Sequence, residues 1–154
     1  MSYHIYTTKG IVLNSRPWRE ADRIYSILTR ELGLVKAQAL GVRKEGSKLR
    51  GAIEPVCLTT VSLVRGKEYW RLTSAEFIKR FQKSQPLVLL EALVAGEASH
   101  PELFDAVEKH LESDEITLVS RILFQLGYLQ EKDLGLEEKA LVRRINEGIA
   151  ASHL

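Results

Sequence analysis

The sequence predicts an α+β protein: a five-stranded OB-type barrel over residues 1–80, followed by a small helical domain over residues 81–154. Three observations carry that reading. Short β-rich runs separated by Gly and Pro fill the first half, with no long helical pattern between them. Apolar residues at helical spacing fill the second half. The charge divides at the same place. Residues 1–85 hold 16 Lys and Arg against 7 Asp and Glu, a net +9, while residues 86–154 hold 6 against 13, a net −7.

The first strand is expected from Ile5 to Asn14, where Ile5, Thr7, Lys9, Ile11 and Leu13 alternate with Tyr6, Thr8, Gly10, Val12 and Asn14. Gly10 is the expected bulge or bend, and Pro17 within Arg16-Pro17-Trp18 is the expected end, because proline donates nothing to a ladder. Arg23 to Arg30 reads as a second strand, although Ile24, Ile27 and Leu28 also fit a helix. Gly33 then turns the chain into a third strand, Leu34 to Val42, with Val35, Ala37 and Ala39 on the buried face and Lys36 and Gln38 opposite. The polar stretch Arg43–Gly51 reads as a loop or short helical turn. Val56–Arg65 is the fourth strand, Gly66-Lys67 a tight turn, and Tyr69–Ala75 the fifth strand.

In the second half, Pro86 suits a first helical turn ahead of Leu87, Leu89, Leu90, Leu93 and Val94, and that helix is apolar on most sides, so a central position is expected. Ser99 and Glu102 have capping-box spacing before Leu103, Phe104, Val107 and Leu111. Asp114 is the expected cap of a third helix with Val119, Ile122, Leu123 and Leu126 as its stripe and Gly127 as its stop. Leu136 to Ile149 is the expected last helix, carrying Leu141, Ile145 and Ile149 at spacings of four.

Catalytic and metal-binding patterns are missing. One cysteine, Cys57, cannot form a disulfide framework or a Cys-based zinc site and reads as a small core residue. His4, His100, His110 and His153 show no ligand spacing, and no metal or other cofactor is expected. Gly41 to Lys48 resembles a phosphate-binding P-loop until its order is read: Ser47 precedes Lys48, whereas the motif needs Lys directly after its second glycine. Glu20 and Asp22 lie among Arg16, Arg19 and Arg23, where salt bridges account for them. A protein without enzymatic activity is expected. No secretory signal opens the sequence, and no apolar run approaches the ~20 residues that cross a bilayer, so a cytoplasmic protein is expected.

What stands out is cations interleaved with aromatics in the basic half. The candidate contacts are Arg16, Trp18, Arg19, Arg23, Lys36, Arg43, Lys44, Lys48, Arg50, Lys67 and Arg71. Cations neutralise phosphates and release counterions, while aromatic faces stack on bases, the combination that binds nucleic acid strands. Trp18, beside Pro17, is a stacking candidate; Trp70, on an alternating strand, reads as buried. The competing reading is an adaptor whose basic face meets an acidic protein tail rather than nucleic acid. A small hydrolase has no residues to nominate.

Several stretches resemble the RecO recombination mediators in order and spacing: Gly10–Ile24 (GIVLNSRPWREADRI), Leu28–Gly33 (LTRELG), Ala39–Arg43 (ALGVR), Ser47-Lys48, Glu54-Pro55, Arg65-Gly66-Lys67 and Leu72–Glu76 (LTSAE). They keep that order and spacing over about half of the chain. The resemblance implies an N-terminal OB-fold and a helical domain, binding to single- and double-stranded DNA, strand annealing and help in loading a recombinase. It implies RecR and single-strand-binding protein as partners and a bacterial, nucleoid-associated setting. Leu123–Leu129 (LFQLGYL) looks like the family segment that leads into the zinc-binding region, but Gln130–Gly135 (QEKDLG) follows it without a Cys pair. A shortened member with a reduced helical domain is the expectation.

Overall fold

The computed structural model describes residues 3–82, 85–94 and 96–152. Among them, five strands come first: β1 (Ile5–Trp18), β2 (Asp22–Thr29), β3 (Gly33–Ala39), β4 (Cys57–Val64) and β5 (Trp70–Arg80). Four helices follow: α1 (Gln85–Leu93), α2 (Pro101–His110), α3 (Glu115–Gln125) and α4 (Glu138–Ala151). The strands close into a barrel in the order β1-β2-β3-β5-β4, with β4 pairing back onto β1. All neighbours are antiparallel except β3 and β5. The predicted α+β class and OB barrel are what the chain adopts.

Closure rests on the length of β1. Its first part, Ile5–Val12, pairs with Val64–Cys57 of β4, and its second part, from Gly10 to Trp18, pairs with β2. The irregularity lies between Val12 and Asn14, not at Gly10. Gly10 supplies room instead: a Cβ there would stand 2.6 Å from Ile27 Cγ2. Pro17 also fails to end the strand. It sits opposite Arg23, beyond the point where β4 stops pairing, so one side of the strand makes no demand on its missing N–H. The helical alternative for residues 23–30 loses because β2 is paired on both sides, and that pairing outweighs local periodicity.

The barrel core holds Val12, Tyr25, Ile27, Val35, Ala37, Ala39, Val61, Leu63, Trp70 and Leu72. The expected faces of β3 are right, with Lys36 exposed between buried neighbours, although the strand ends at Ala39 rather than Val42. After β3 the chain is held locally. Asp22 accepts from the Gly41 amide at 2.7 Å and from Gln38 Nε2 at 3.2 Å, so its partners are amides rather than the arginines that the sequence suggested. Val42 and Ile53 are buried, and a 3₁₀ turn spans Arg50–Ala52. Cys57 is buried, with Sγ 3.6 Å from the Ala52 carbonyl, and burial pushes its thiol up to about 11.

The chain forms two compact units. One is the strands together with Gly96–His100; the other is α1 with the residues from Pro101 onward. The returning segment is tied to the strands by Glu97, which accepts from Trp70 Nε1 at 2.7 Å and lies 3.6 Å from Arg65. Ala98 packs over Gly33, where a Cβ would stand 2.5 Å from the Ala98 carbonyl oxygen.

In the helical unit, α1 buries Leu87 and Leu90, but Val88 is 64% exposed, so this helix is less enclosed than its composition predicts. Helix α2 opens at Pro101, which puts His100 rather than Ser99 at the cap position. The Ser99 hydroxyl lies 3.5 Å from the Arg30 carbonyl instead. Asp114 caps α3 as expected, accepting from the Thr117 amide at 2.8 Å. Gly127, at φ +87°, closes α3 in a Schellman turn: Tyr128 N–H donates to Leu123 and Gly127 N–H to Phe124. A 3₁₀ turn at Glu131–Gly135 delays α4 to Glu138, two residues later than expected. Leu123, Leu129, Leu141 and Ile145 form a core of this unit.

Candidate nucleic-acid interface

The predicted contacts fall into three groups. The first surrounds a cavity of about 510 Å³ formed by β1, β2 and the loop ahead of β4. Arg23 reaches it from β2, Arg43 from the loop and Arg50 from the 3₁₀ turn, with Ser15, Tyr25 and Glu54 also lining it. Each guanidinium is held by a neutral acceptor. Arg23 Nε donates to Ser15 Oγ at 3.0 Å, Arg43 Nη1 to the Arg19 carbonyl at 3.2 Å, and Arg50 Nη2 to the Lys44 carbonyl. Glu54 lies 3.6 Å from Arg80. Tyr25 is buried, and burial, more than its charged neighbours, pushes its phenol up, so it faces the cavity as a neutral group.

The second group is aromatic. Arg16 Nη2 donates to the Tyr69 hydroxyl at 3.1 Å, and its guanidinium lies 5.1 Å from the centre of the Trp18 ring. Trp18 meets Tyr69 edge to face at 5.5 Å. Trp18 Nε1 is buried and, among the described residues, finds no acceptor. A surface built of Arg16, Trp18 and Tyr69 offers a cation and aromatic edges side by side.

The third group is dispersed. Lys44 and Lys48 are exposed on the loop, and Lys67 and Arg71 are exposed around the β4–β5 turn. Lys36 is exposed with Nζ on Ser26 Oγ. Arg19 is exposed at φ +55° and contributes its carbonyl to Arg43. Trp70 is buried, as its alternation predicts, with Arg65 4.3 Å from its ring centre.

Sequence reasoning left Tyr69, Glu54 and Ser15 out of the candidate set. Tyr69 carried a signal, since it stands among Arg65, Lys67 and Arg71. Ser15 and Glu54 carried none, because their role comes from cavity walls that only barrel closure assembles. Among the described residues, no group of three or more His, Cys, Asp or Glu side chains is placed to hold a metal ion, and no helix is long and apolar enough to cross a membrane.

The family model for the N-terminal part of recombination protein O matches residues 1–81, more than half of the chain. This chain belongs to the RecO family. A DNA repair protein RecO from Dehalococcoides mccartyi strain CBDB1 is 32% identical over 151 residues, covering 97% of this chain and 56% of that relative. A second, from strain BAV1, is 36% identical over 120 residues, 71% of this chain and 47% of the relative. A RecO from Synechococcus sp. strain JA-2-3B'a(2-13) is 36% identical over 132 residues, 73% of this chain and 46% of the relative. The chain therefore spans about half the length of the RecO relatives it matches. The RecO family model coincides with the barrel, the unit that carries Arg23, Arg43 and Arg50.

Proposed function

We propose that this chain binds single- and double-stranded DNA through the basic face of its barrel and acts in recombinational DNA repair. In this reading it promotes annealing of complementary strands and helps a recombinase to load, with RecR and single-strand-binding protein as partners. The observation that carries the reading is the basic surface of the β-rich half, net +9 over residues 1–85, on which Arg19, Lys44, Lys48, Lys67 and Arg71 stand exposed in addition to the cation-aromatic group of Arg16, Trp18 and Tyr69. Spread cations of this kind neutralise backbone phosphates and release counterions, and aromatic groups beside them can stack on bases. Family membership supports the same reading, because the matched relatives are DNA repair proteins by name. Cations would hold the phosphates while leaving base edges free to pair. That needs no covalent step, and the buried, protonated Cys57 offers none.

The test is fluorescence anisotropy of labelled single- and double-stranded oligonucleotides across a salt series. A fall of log K against log salt with a slope of about −3 to −6 is expected, at roughly 0.7–0.9 per phosphate contact. Lys48→Glu combined with Arg50→Glu should weaken binding to every sequence and flatten that slope. A loss confined to one sequence contradicts phosphate tracking. No binding even at low salt rejects the reading and leaves an acidic protein tail as the ligand of the basic face.

A further inference from the structure

A strand that is only tracked needs cations spread along a path. The cavity does something else, gathering three guanidinium groups around about 510 Å³ of concave space. Among the described residues, none of Arg23, Arg43 and Arg50 takes part in an ion pair. The carboxylate in the wall, Glu54, is already matched by Arg80 at 3.6 Å. The tethers to Ser15 Oγ and to the Arg19 and Lys44 carbonyls fix the three forks while leaving most of their N–H donors unused. Buried Tyr25 keeps the floor neutral. Such a site is preorganised for an anion that brings more than one charge and several acceptor oxygens.

An internal phosphodiester fits that description poorly. It carries one charge and continues as chain on both sides, so it cannot enter a concavity end-on. A phosphomonoester carries about −1.5 to −2 charges near neutral pH and presents three free oxygens. We propose that the cavity lined by Arg23, Arg43 and Arg50 is a phosphomonoester site, which takes the phosphate of a phosphorylated DNA end or of a free nucleoside monophosphate. The first source rests on the DNA-binding reading above; the second does not.

Two titrations of the whole chain test it. In the first, labelled oligonucleotides of one sequence end in a 5′-phosphate, a 3′-phosphate or hydroxyls only. In the second, deoxyadenosine monophosphate and inorganic phosphate are titrated calorimetrically. A phosphorylated end is expected to bind about tenfold more tightly than a hydroxyl end, the scale of one charge-assisted contact. The preference should strengthen as pH rises through the phosphate's second ionisation, near 6, while binding of the hydroxyl-ended strand should not follow it. Arg43→Gln with Arg50→Gln should abolish the preference. Lys139→Gln with Arg143→Gln, the same charge change at exposed positions of α4, should keep it. Circular dichroism confirms folding, and if the double variant does not fold, Arg43→Lys, which keeps the charge but loses the fork, should reduce the preference by itself. If only the mononucleotide binds, with loss in the arginine variants, the site stands and its ligand is a small molecule. If no oligonucleotide binds but the mononucleotide does, the DNA reading fails and the site survives. Equal binding of phosphorylated and hydroxyl ends, together with no arginine-dependent binding of either small phosphate, overturns the proposal.

Discussion

The barrel and the helical unit handle charge in opposite ways. In the barrel, Tyr25 and Cys57 are both raised because burial disfavours their charged forms. Its arginines around the cavity rest on hydroxyl and carbonyl oxygens. In the helical unit, Asp114 and Asp133 are both lowered, foremost by backbone amides that donate to them. Asp133 also faces Arg144, with Nε 3.3 Å away, and Arg144 is raised in turn. The helical unit thus directs these charges to its own caps and turns, whereas the barrel pairs Arg65 and Arg80 with carboxylates but leaves the three cavity arginines on neutral oxygens. Charge left unneutralised by the fold is charge available to a ligand, and the proposal of a phosphomonoester site in the barrel rests on those three arginines gathering at one cavity.

The sharpest way to stress this contrast is through two glycines with positive φ. Gly33 in the barrel sits at φ +74° with the Ala98 backbone against it, while Gly127 after α3 sits at φ +87° with open space where a Cβ would stand, nothing lying within 4 Å. Gly33→Ala combines backbone strain with overpacking and should cost about 3 kcal/mol in urea unfolding, with a shift in the fluorescence of Trp70 as Glu97 is displaced. Gly127→Ala meets strain alone and should cost about 1 kcal/mol. Equal costs would mean that the 96–100 segment does not hold against β3.

A smaller effect separates capping from packing. Asp114→Ala removes the side-chain acceptor of the Thr117 amide and should destabilise by about 1 kcal/mol in the same assay, with DNA affinity unchanged. A matching loss of DNA affinity would tie the helical unit to the interface.

The smallest effects at neutral pH are those of titration, and they fall on opposite limbs. The raised Cys57 thiol keeps its proton in the fold where the unfolded chain loses it. Its contribution is therefore full below pH 9 and is lost as pH rises toward about 11, with Tyr25 acting in the same sense. Cys57→Ala should flatten that alkaline decline of the melting temperature. The lowered Asp133 carboxyl works the other way: its contribution is present above the ordinary carboxylate range and is lost as pH falls through the depressed value. Asp133→Asn should flatten the acid limb and leave the alkaline one alone. A change on the wrong limb would reverse the assignment of either group.

Local pattern alone was enough for much of this molecule. Alternation in β3 marked Val35, Ala37 and Ala39 as inward and Lys36 as outward, and Asp114 and Gly127 marked both ends of α3, because those signals depend on neighbours a few residues away. Pro17 misled because its effect on a strand depends on whether a second strand needs its N–H, and β4 has already stopped there. Residues 23–30 were ambiguous between strand and helix until β1 and β3 paired on either side.

From its sequence, this chain was determined to be an α+β protein with a basic β-rich half, an acidic helical half and the residues of a RecO N-terminal domain. Periodicity, caps and charge are written locally, so they survive without a structure. Only the tertiary structure decided which cations meet. Arg23 and Arg50 lie 27 positions apart, and Arg16 and Tyr69 lie 53 apart. Barrel closure and the register of β1 against β2 bring them together, and register is a long-range property that composition and spacing do not encode.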